Sequence, residues 1–306
     1  MTSIRLATRG SPLALWQAET VASMLRSTDS SLDVRLEIVK TSGDVVLDRP
    51  IPELGATGVF TKEVDRRVVE GRADAAVHSL KDLATVLETG LVLGAHLPRG
   101  PVEDVLVAPI HRTLDALPKG AVVATGSLRR RAMLLRARPD LVVVGSRGNV
   151  ATRIAKADGV GVHATVLARA GLMRLDAESA ITEVLPTSLV LPAVGQAIVA
   201  VTCRGDDLST RARLAAIDDP VARACAAAER ALLRALRAGC HAPVGGFAVV
   251  VDGVLRLEGR VLDANGSQSV EGVAVGSPSE AESIGERLAE DMARRGAARL
   301  LGGPAS

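Results

Sequence analysis

The chain alternates short apolar runs with amphipathic segments up to about residue 215, and this alternation limits the folds that it can adopt. The pattern predicts strands over 4–8, 34–39, 75–78, 164–167 and 198–203, and helices over 12–26 and 61–70. Strands that alternate with helices are typical of α/β proteins, in which helices cover the faces of a sheet. We therefore predict an α/β fold.

Two breaks in the alternation indicate crossovers between domains. Residues 98–101 contain two prolines and lead into a second strand–helix region, and residues 191–195 lead back from it. A chain of 306 residues is long enough for two or three domains. The predicted domains are 1–98 together with 197–216, then 102–192, and a smaller α/β domain over 220–306.

The last predicted domain has its own pattern. A helix over 220–238 begins after Asp219 and is expected to end at Gly239 in the left-handed conformation. Two strands follow, joined at Asp252-Gly253, which is a hairpin signal. Ser279 and Glu282 have the spacing of a capping box and predict the start of the final helix.

Seven arginines and one lysine, but only one acid, lie between residues 126 and 157. They fall in two matching units, 122–130 and 142–153, each interpreted as a buried strand, a tight turn with a capping residue and the first turn of a helix. Cations are disfavoured at a helix N-terminus, which already carries partial positive charge. Arg129, Arg130 and Arg153 at such ends therefore predict an anion bound between them. The alternative is a solvated basic helix face.

Two more predicted strand ends carry groups that could bind or react. Arg9 stands at a strand end before Ser11, the predicted N-cap of the next helix. His78, Lys81 and Asp82 follow a buried strand, and active sites in α/β sheets gather at the carboxyl ends of strands. Asp82 is either a functional carboxylate or a partner of Lys81 in a surface ion pair. If these strand ends converge, they form a site for a ligand with several carboxylates.

The three cysteines are widely spaced, odd in number and without the spacing of metal ligands. This pattern argues against a disulfide framework and against a structural metal site. Cys203 and Cys225 are predicted to lie in the core. Cys240 falls in a predicted loop, where it is either an accessible nucleophile or a small buried residue in a turn.

The amino-acid composition limits the classes of partner that the chain is expected to bind. The chain has two Phe, one Trp and no Tyr, whereas proteins that bind single-stranded nucleic acids stack bases on aromatic side chains. RNA binding by the arginine units is therefore disfavoured, and discrete carboxylates or phosphates are favoured. The sequence has no apolar signal or transmembrane run, so we expect a soluble, cytoplasmic protein without a membrane partner.

Seven short stretches of the chain match a known pattern in order and spacing. They are ATRGSPLALWQ (7–17), AVHSLKD (76–82), SLRR (127–130), RGNV (147–150), LPAVGQ (191–196), AER (228–230) and Gly239-Cys240. Over nearly its full length the chain resembles the porphobilinogen deaminase family, also called hydroxymethylbilane synthases.

The resemblance implies a fold, a reaction and a cofactor. The fold would have two periplasmic-binding-protein-like lobes with mixed sheets, and a third domain that carries the cofactor cysteine. Members of the family join four porphobilinogen molecules head to tail on a covalent dipyrromethane primer, release ammonia, and hydrolyse the product to hydroxymethylbilane. We accordingly expect porphobilinogen as the substrate, no metal, no nucleic acid and a monomeric chain.

The resemblance also implies residue roles. Cys240 would hold the dipyrromethane through a thioether, and Asp82 would be the catalytic carboxylate. The cofactor-binding residues would be Lys81, Ser127, Arg129, Arg130, Arg147 and Gly148. The substrate-binding residues would be Arg9, Ser11, Phe60, Arg153, Arg174 and Gln196.

Some positions depart from the family pattern. Glu53 and Thr57 stand where many relatives carry lysines, in a connection over 43–58 that is predicted to be a lid. Ala197 replaces a usual glycine, and residues 162–164 read Val-His-Ala where Tyr-Asp-Ala is common. None of these changes affects Cys240 or Asp82. The alternative function is a non-enzymatic, two-lobed anion-binding protein.

Overall fold

The computed structural model describes residues 3–41, 61–157, 161–239 and 242–302. These residues form two five-stranded sheets and one three-stranded sheet, with helices packed on them. The predicted α/β class with a smaller C-terminal α/β part is therefore confirmed. Three parts of the sequence predictions fall outside the described residues. They are the predicted lid with Glu53 and Thr57, Phe60 and Cys240.

The strands and helices alternate along most of the chain. The strands are β1 (Ser3–Arg9), β2 (Asp33–Val39), β3 (Ala75–Ser79), β4 (Leu91–His96), β5 (Asp104–Val107), β6 (Val122–Ala124), β7 (Val142–Val144), β8 (Ala164–Ala168), β9 (Glu183–Leu185), β10 (Val199–Arg204), β11 (Val244–Val251), β12 (Val254–Leu262) and β13 (Ser269–Gly276). The helices are α1 (Pro12–Thr28), α2 (Lys62–Val69), α3 (Leu128–Ala137), α4 (Val150–Lys156), α5 (Arg169–Met173), α6 (Leu208–Ala215), α7 (Pro220–Ala235), α8 (Ala281–Arg294) and α9 (Ala297–Leu300).

The chain divides into two compact units, 1–100 with 197–224, and 101–196 with 225–306. The sheet of the first unit has the order β2-β1-β3-β10-β4, and β10 is antiparallel to both of its neighbours. Ile4 and Leu6 of β1 are fully buried against apolar residues of α1, and Ala7 packs on the other face against Val64 and Val68 of α2. No helix in the described ranges is long and apolar enough to cross a membrane.

The second unit repeats this arrangement of strands. Its larger sheet has the order β7-β6-β8-β5-β9, with β5 antiparallel to β8 and β9. Since β6, β7 and β8 are parallel, their carboxyl ends lie at one edge, and the antiparallel β5 begins at that same edge. The prediction that the 142–144 strand is buried is wrong: β7 is an edge strand, and Val142 is 49% exposed.

The third sheet is the antiparallel meander β11-β12-β13. Asp252 (φ 50°) and Gly253 (φ 74°) form the predicted hairpin turn. The helix α8 packs on the sheet through Ile284, Leu288 and Met292, which are buried. The strand β13 was not predicted from the sequence.

Two helix ends in this part differ from the prediction. The helix α7 ends at Ala235, and Arg237 (φ 51°), not Gly239, takes the left-handed conformation. The Ala238 N–H donates to the Leu233 carbonyl at 3.1 Å, the bond that closes a Schellman motif. The capping box consists of Ser277 and Glu280, two residues before the predicted pair, because a single 3₁₀ turn precedes α8.

Candidate functional site

In the first unit, the candidate site lies at the edge where β1 and β3 end. These strands are parallel neighbours, so Arg9 and the residues after Ser79 reach the same edge of the sheet. Arg9, Ser11 and Asp82 line one small cavity. The structure thus brings together three of the residues that sequence reasoning singled out.

Asp82 has a rigid support. It ends the 3₁₀ turn Leu80–Asp82, in which Leu80 and Leu83 are buried. The Leu80 N–H donates to the Ile198 carbonyl at 3.0 Å, which ties the turn to the central strands of the sheet. Asp82 and Lys81 themselves are half-buried. The carboxylate is therefore held in place while it remains accessible from the cavity.

Buried polar residues form the floor of this cavity. His78 lines the cavity and its Nε2 lies 2.9 Å from Asp65 Oδ1, which also accepts a 2.8 Å bond from the Thr202 hydroxyl. Gln17 Nε2 donates to Ser79 Oγ at 2.8 Å. His78 is therefore a satisfied, buried histidine. Asp65 and Thr202 were missed because they come from other elements, α2 and β10, and no local pattern shows that these elements pack against His78.

In the second unit, the two arginine-rich turns are neighbours at the carboxyl edge of the sheet. Ser127 caps α3 by accepting from the Arg130 N–H at 3.4 Å, and Asn149 caps α4 by accepting from the Thr152 N–H at 2.9 Å. The turns pack so closely that a Cβ on Gly126 would lie 2.7 Å from the Ser146 carbonyl. Both predicted caps are confirmed.

The anion that Arg129 and Arg130 meet in the structure is Asp104, the first residue of β5. Arg129 Nη2 and Arg130 Nη2 each lie 2.7 Å from a different oxygen of this carboxylate. Asp104 is fully buried, and both arginines are buried with it. Burial by itself would raise the pKa of Asp104, but the two guanidiniums hold this pKa well below the ordinary carboxyl range. Burial in turn lowers the pKa of Arg129.

Gln196 joins the same network. Its Nε2 lies 3.0 Å from Asp104 Oδ1 and donates to the Val102 carbonyl at 2.7 Å. Asp104 was not predicted as part of the site. It is the first residue of β5, and because β5 is antiparallel to β8, Asp104 lies opposite Ala168 at the carboxyl end of β8. The sequence signal that could have indicated Asp104 is an acidic residue directly before the apolar run Val105–Val107, which is fully buried in the structure.

The remaining predicted arginines are half-buried. Arg153 Nε donates to the carbonyl of Gly148, which has a φ of 111° and thus suits only glycine well. The Arg147 carbonyl accepts from Lys156 Nζ at 3.0 Å. Arg174 follows α5, and burial lowers its pKa. Arg147, Gly148 and Arg153 thus share one turn and the helix after it, whereas Arg174 comes from another element.

These features define an α/β protein with basic groups and one accessible carboxylate at strand ends, as expected of an enzyme for an anionic substrate. Residues 4–212 match the family model "Porphobilinogen deaminase, dipyromethane cofactor binding domain", and residues 223–294 match "Porphobilinogen deaminase, C-terminal domain". The chain belongs to the porphobilinogen deaminase family.

Relatives with that name span the whole chain. The porphobilinogen deaminase of Xanthomonas campestris pv. campestris (strain B100) is 48% identical over 98% of this chain and 99% of its own length. That of Xanthomonas euvesicatoria pv. vesicatoria is 47% identical over the same shares. A solved structure of the methionine binding protein MetQ matches with a TM-score of 0.43 at 13% identity, over 70% of this chain and 88% of that chain. The predicted family, transferase class and dipyrromethane cofactor are confirmed.

The residues at the arginine-rich edge fit a dipyrromethane, which carries several carboxylates. Arg129 Nε, Arg130 Nε and Ser146 Oγ are buried polar atoms without a hydrogen-bond partner among the residues that the structure describes. Buried polar groups without partners are rare in proteins, and a bound carboxylate would satisfy such donors. The donor set is therefore suited to the cofactor of the family.

Proposed function

We propose that the chain condenses porphobilinogen with Asp82 as the catalytic carboxylate, on a dipyrromethane that is attached to Cys240. One observation carries the proposal for the reaction site: Arg9, Ser11 and Asp82 line the same cavity at the ends of β1 and β3. A cation and a carboxylate beside each other match a substrate with acidic side chains and a ring nitrogen that becomes positively charged.

Asp82 is suited to electrostatic catalysis. Loss of ammonia from the aminomethyl group and attack on the resulting carbon both place positive charge on a pyrrole nitrogen. A fixed carboxylate near that N–H group stabilises the charge without having to reorganise. The buried support of Asp82, through Leu80 and Leu83, keeps its carboxylate in position.

Arg9 is suited to binding the substrate carboxylates. It ends β1, which lies between β2 and β3 in the sheet, and its backbone is aligned with Val39 of β2. A guanidinium is always charged and presents a planar fork of donors that matches a carboxylate. Ser11 accepts from the Ala14 N–H at 3.3 Å, which places its hydroxyl at the N-terminus of α1, where anions are favoured. Arg153, Arg174, Gln196 and Phe60 complete the proposed substrate set.

The basic groups of the second unit are proposed to hold the cofactor. When bound, the dipyrromethane supplies the pyrrole carbon from which the product grows. Arg129 and Arg130 would donate to its carboxylates, together with Arg147, Ser127 and the backbone at Gly148. Lys81 is the remaining member of the proposed cofactor-binding set. The buried donors on Arg129 and Arg130 support this assignment.

We also propose a monomer that acts in the cytoplasm and binds no nucleic acid. The small net charge of +2 and the scarcity of aromatic residues support the last point. Light scattering on the purified chain measures the oligomeric state. A mass near 31.6 kDa is expected for a monomer, and twice that value would contradict the monomer.

The central test combines mass spectrometry with turnover. The purified chain should carry the added mass of a dipyrromethane, and peptide mapping should find it on Cys240 and on neither Cys203 nor Cys225, which are buried. Added porphobilinogen should be consumed with release of ammonia. An active enzyme with unmodified Cys240 would overturn the attachment, and a chain without adduct or turnover would favour the non-enzymatic anion-binding alternative.

A further inference from the structure

We propose that Asp104 is a positioning residue: it sets which donors of Arg129 and Arg130 remain for an anionic ligand, and it places Gln196 beside them. The inference rests on the proposed function, since it assumes that these arginines bind the cofactor. It goes beyond that function because it gives a role to a carboxylate that cannot itself reach a ligand.

The hydrogen bonds of the two arginines define their orientation. Each guanidinium gives one Nη2 to Asp104, at 2.7 Å in both cases. The Nη1 atoms donate to backbone carbonyls, that of Arg129 to Leu191 at 2.5 Å and that of Arg130 to Val166 at 3.0 Å. One N–H of each Nη group is thus used within the protein, and each Nε is buried without a partner among the described residues. The donors that are left for a ligand carboxylate are the Nε–H and the second N–H of each Nη group.

The charges of the cluster lead to the same conclusion. Two guanidiniums and one carboxylate leave an excess of one positive charge in a buried site. Without Asp104, two buried cations would lie side by side with no counter-charge, and such groups turn away or draw in water. Asp104 thus compensates one of the two positive charges while no ligand is bound. Both arginines can therefore stay in the buried site until an anionic ligand binds there.

Asp104 also connects the arginines to both crossover segments of the second unit. The oxygen that accepts from Arg130 accepts from Gln196 at 3.0 Å, and Gln196 in turn donates to the Val102 carbonyl. Residues 102–104 and 191–196 are therefore joined to α3 through one carboxylate. A change at Asp104 should disturb Gln196 as well as the arginines.

A competing explanation makes the opposite prediction. If Asp104 only neutralised the arginines, it would compete with the ligand carboxylates, and its removal would strengthen binding of the cofactor. If it positions the arginines, its removal weakens binding even though the site becomes more positive. The sign of the change therefore separates the two explanations.

The experiment uses the full chain with the Asp104→Asn substitution, which keeps the shape of the side chain and removes its charge. The apo-chain is prepared in cells that lack porphobilinogen, and the acquisition of the cofactor mass after addition of porphobilinogen is followed by intact mass spectrometry. We expect loading to be slower by roughly ten- to a hundredfold, the scale of one lost hydrogen bond to a charged group. Faster or unchanged loading in a folded variant would overturn the inference.

Asp74→Asn is the matched control. Asp74 pairs with Arg5 at 2.8 Å, but it precedes β3 at the end of that strand away from Asp82. This variant should lower the melting temperature and leave the loading rate unchanged. Slower loading in both variants to the same degree would show a general effect of lost ion pairs and would overturn the positioning role.

A second variant keeps the test valid if Asp104→Asn alone does not fold. In Asp104→Asn combined with Arg130→Gln, the cluster has one guanidinium and no carboxylate, so its excess charge is again +1. Since Asp104 also orients Arg129, this double variant should load more slowly than Arg130→Gln alone, whereas equal or faster loading would contradict the inference. A wild-type chain that never gains the cofactor mass would overturn the proposed function, and the positioning role with it.

Discussion

Asp82 and Asp104 stand at sheet edges in environments that suit opposite tasks. Asp104 is fully buried and accepts from Arg129, Arg130 and Gln196, so its charge is already used within the protein. Asp82 is half-buried and lines a cavity. Of these two carboxylates, Asp82 is the one that can respond to positive charge in a ligand, and Asp104 is suited to orienting its neighbours.

Substitutions at Asp82 should show that charge matters more than size. Asp82→Asn keeps the shape and removes the charge, so we expect turnover to fall by about a hundred- to ten-thousandfold. Asp82→Glu keeps the charge and moves it by one methylene, so it should retain a small, measurable rate. Intact mass after addition of substrate should show that the Glu variant still carries its cofactor and accumulates stalled intermediates.

The same measurements can contradict the role of Asp82. Near-normal turnover by Asp82→Asn would reduce this residue to a partner of Lys81, and the catalytic carboxylate would have to be sought elsewhere. Loss of the cofactor from both variants would indicate a binding role instead of a role in the chemical steps.

The Asp104 pairs should also give a pH-dependent stability. In Arg129→Leu we expect a loss of up to about 3–5 kcal/mol at pH 7, since one partner of a buried ion pair is removed. The pKa of Asp104 is lowered on folding, so its contribution is complete above the unfolded carboxyl range near pH 4 and is lost as the pH falls below it. The difference from the wild type should therefore shrink below about pH 4.

Arg131→Leu is the control for this prediction. Arg131 lies on the same helix, and its Nη1 donates to the Val143 carbonyl at 3.2 Å instead of to a carboxylate. Urea unfolding of both variants at pH 7 and at pH 3 measures the effect. A deficit of Arg129→Leu that is equal at both pH values would show that its ion pair with Asp104 does not stabilise the fold.

At the scale of elements, local signals were predicted well and long-range ones were not. Ser11 was predicted by name as a cap, and each arginine unit was predicted to contain a capping residue, which the structure shows to be Ser127 or Asn149. Such caps depend on only a few neighbouring residues. The partner of Arg129 and Arg130 depends on the direction of β5 within the sheet, which no local pattern reveals. The anion that lies between Arg129 and Arg130 in the structure belongs to the chain itself, and the binding of these arginines to cofactor carboxylates stays a prediction.

The corrected helix start near residue 280 gives a test at the same scale. Ser277 accepts from the Ser279 N–H, and Glu280 Oε2 accepts from the Ser277 N–H, so the capping box depends on these two side chains. Ser277→Ala should lower the free energy of unfolding by about 0.5–2 kcal/mol. Ser279→Ala is the control and should cost less, because its hydroxyl bonds to Ser277 Oγ and not to a backbone N–H of the helix end. Equal losses in thermal melts would contradict the corrected cap.

At the scale of the whole molecule, the two five-stranded sheets have the same strand arrangement: three parallel strands, one antiparallel strand and an outer strand. In both sheets the antiparallel strand begins at the edge where the parallel strands end, next to a crossover of the chain. This repeated geometry explains why residues 98–104 and 191–198, remote from each other in sequence, supply groups to both edges. A ligand that binds only to the folded chain should stabilise it against unfolding.

The bound cofactor should stabilise the folded chain against thermal unfolding. Cys240→Ser should yield a chain without cofactor mass, and it should melt at a lower temperature than the loaded enzyme, because a ligand bound only to the folded state stabilises that state. With several charged contacts at about 1.5–3 kcal/mol each, the difference should be on the order of 5–10 °C. Differential scanning calorimetry with intact mass measures both quantities.

Cys225→Ser is the control: Cys225 is a buried core residue, so this variant should melt lower while it keeps the cofactor mass. Equal melting temperatures for apo and loaded chains would mean that the cofactor carboxylates gain nothing from the arginines, and the proposed binding residues would have to be reassigned.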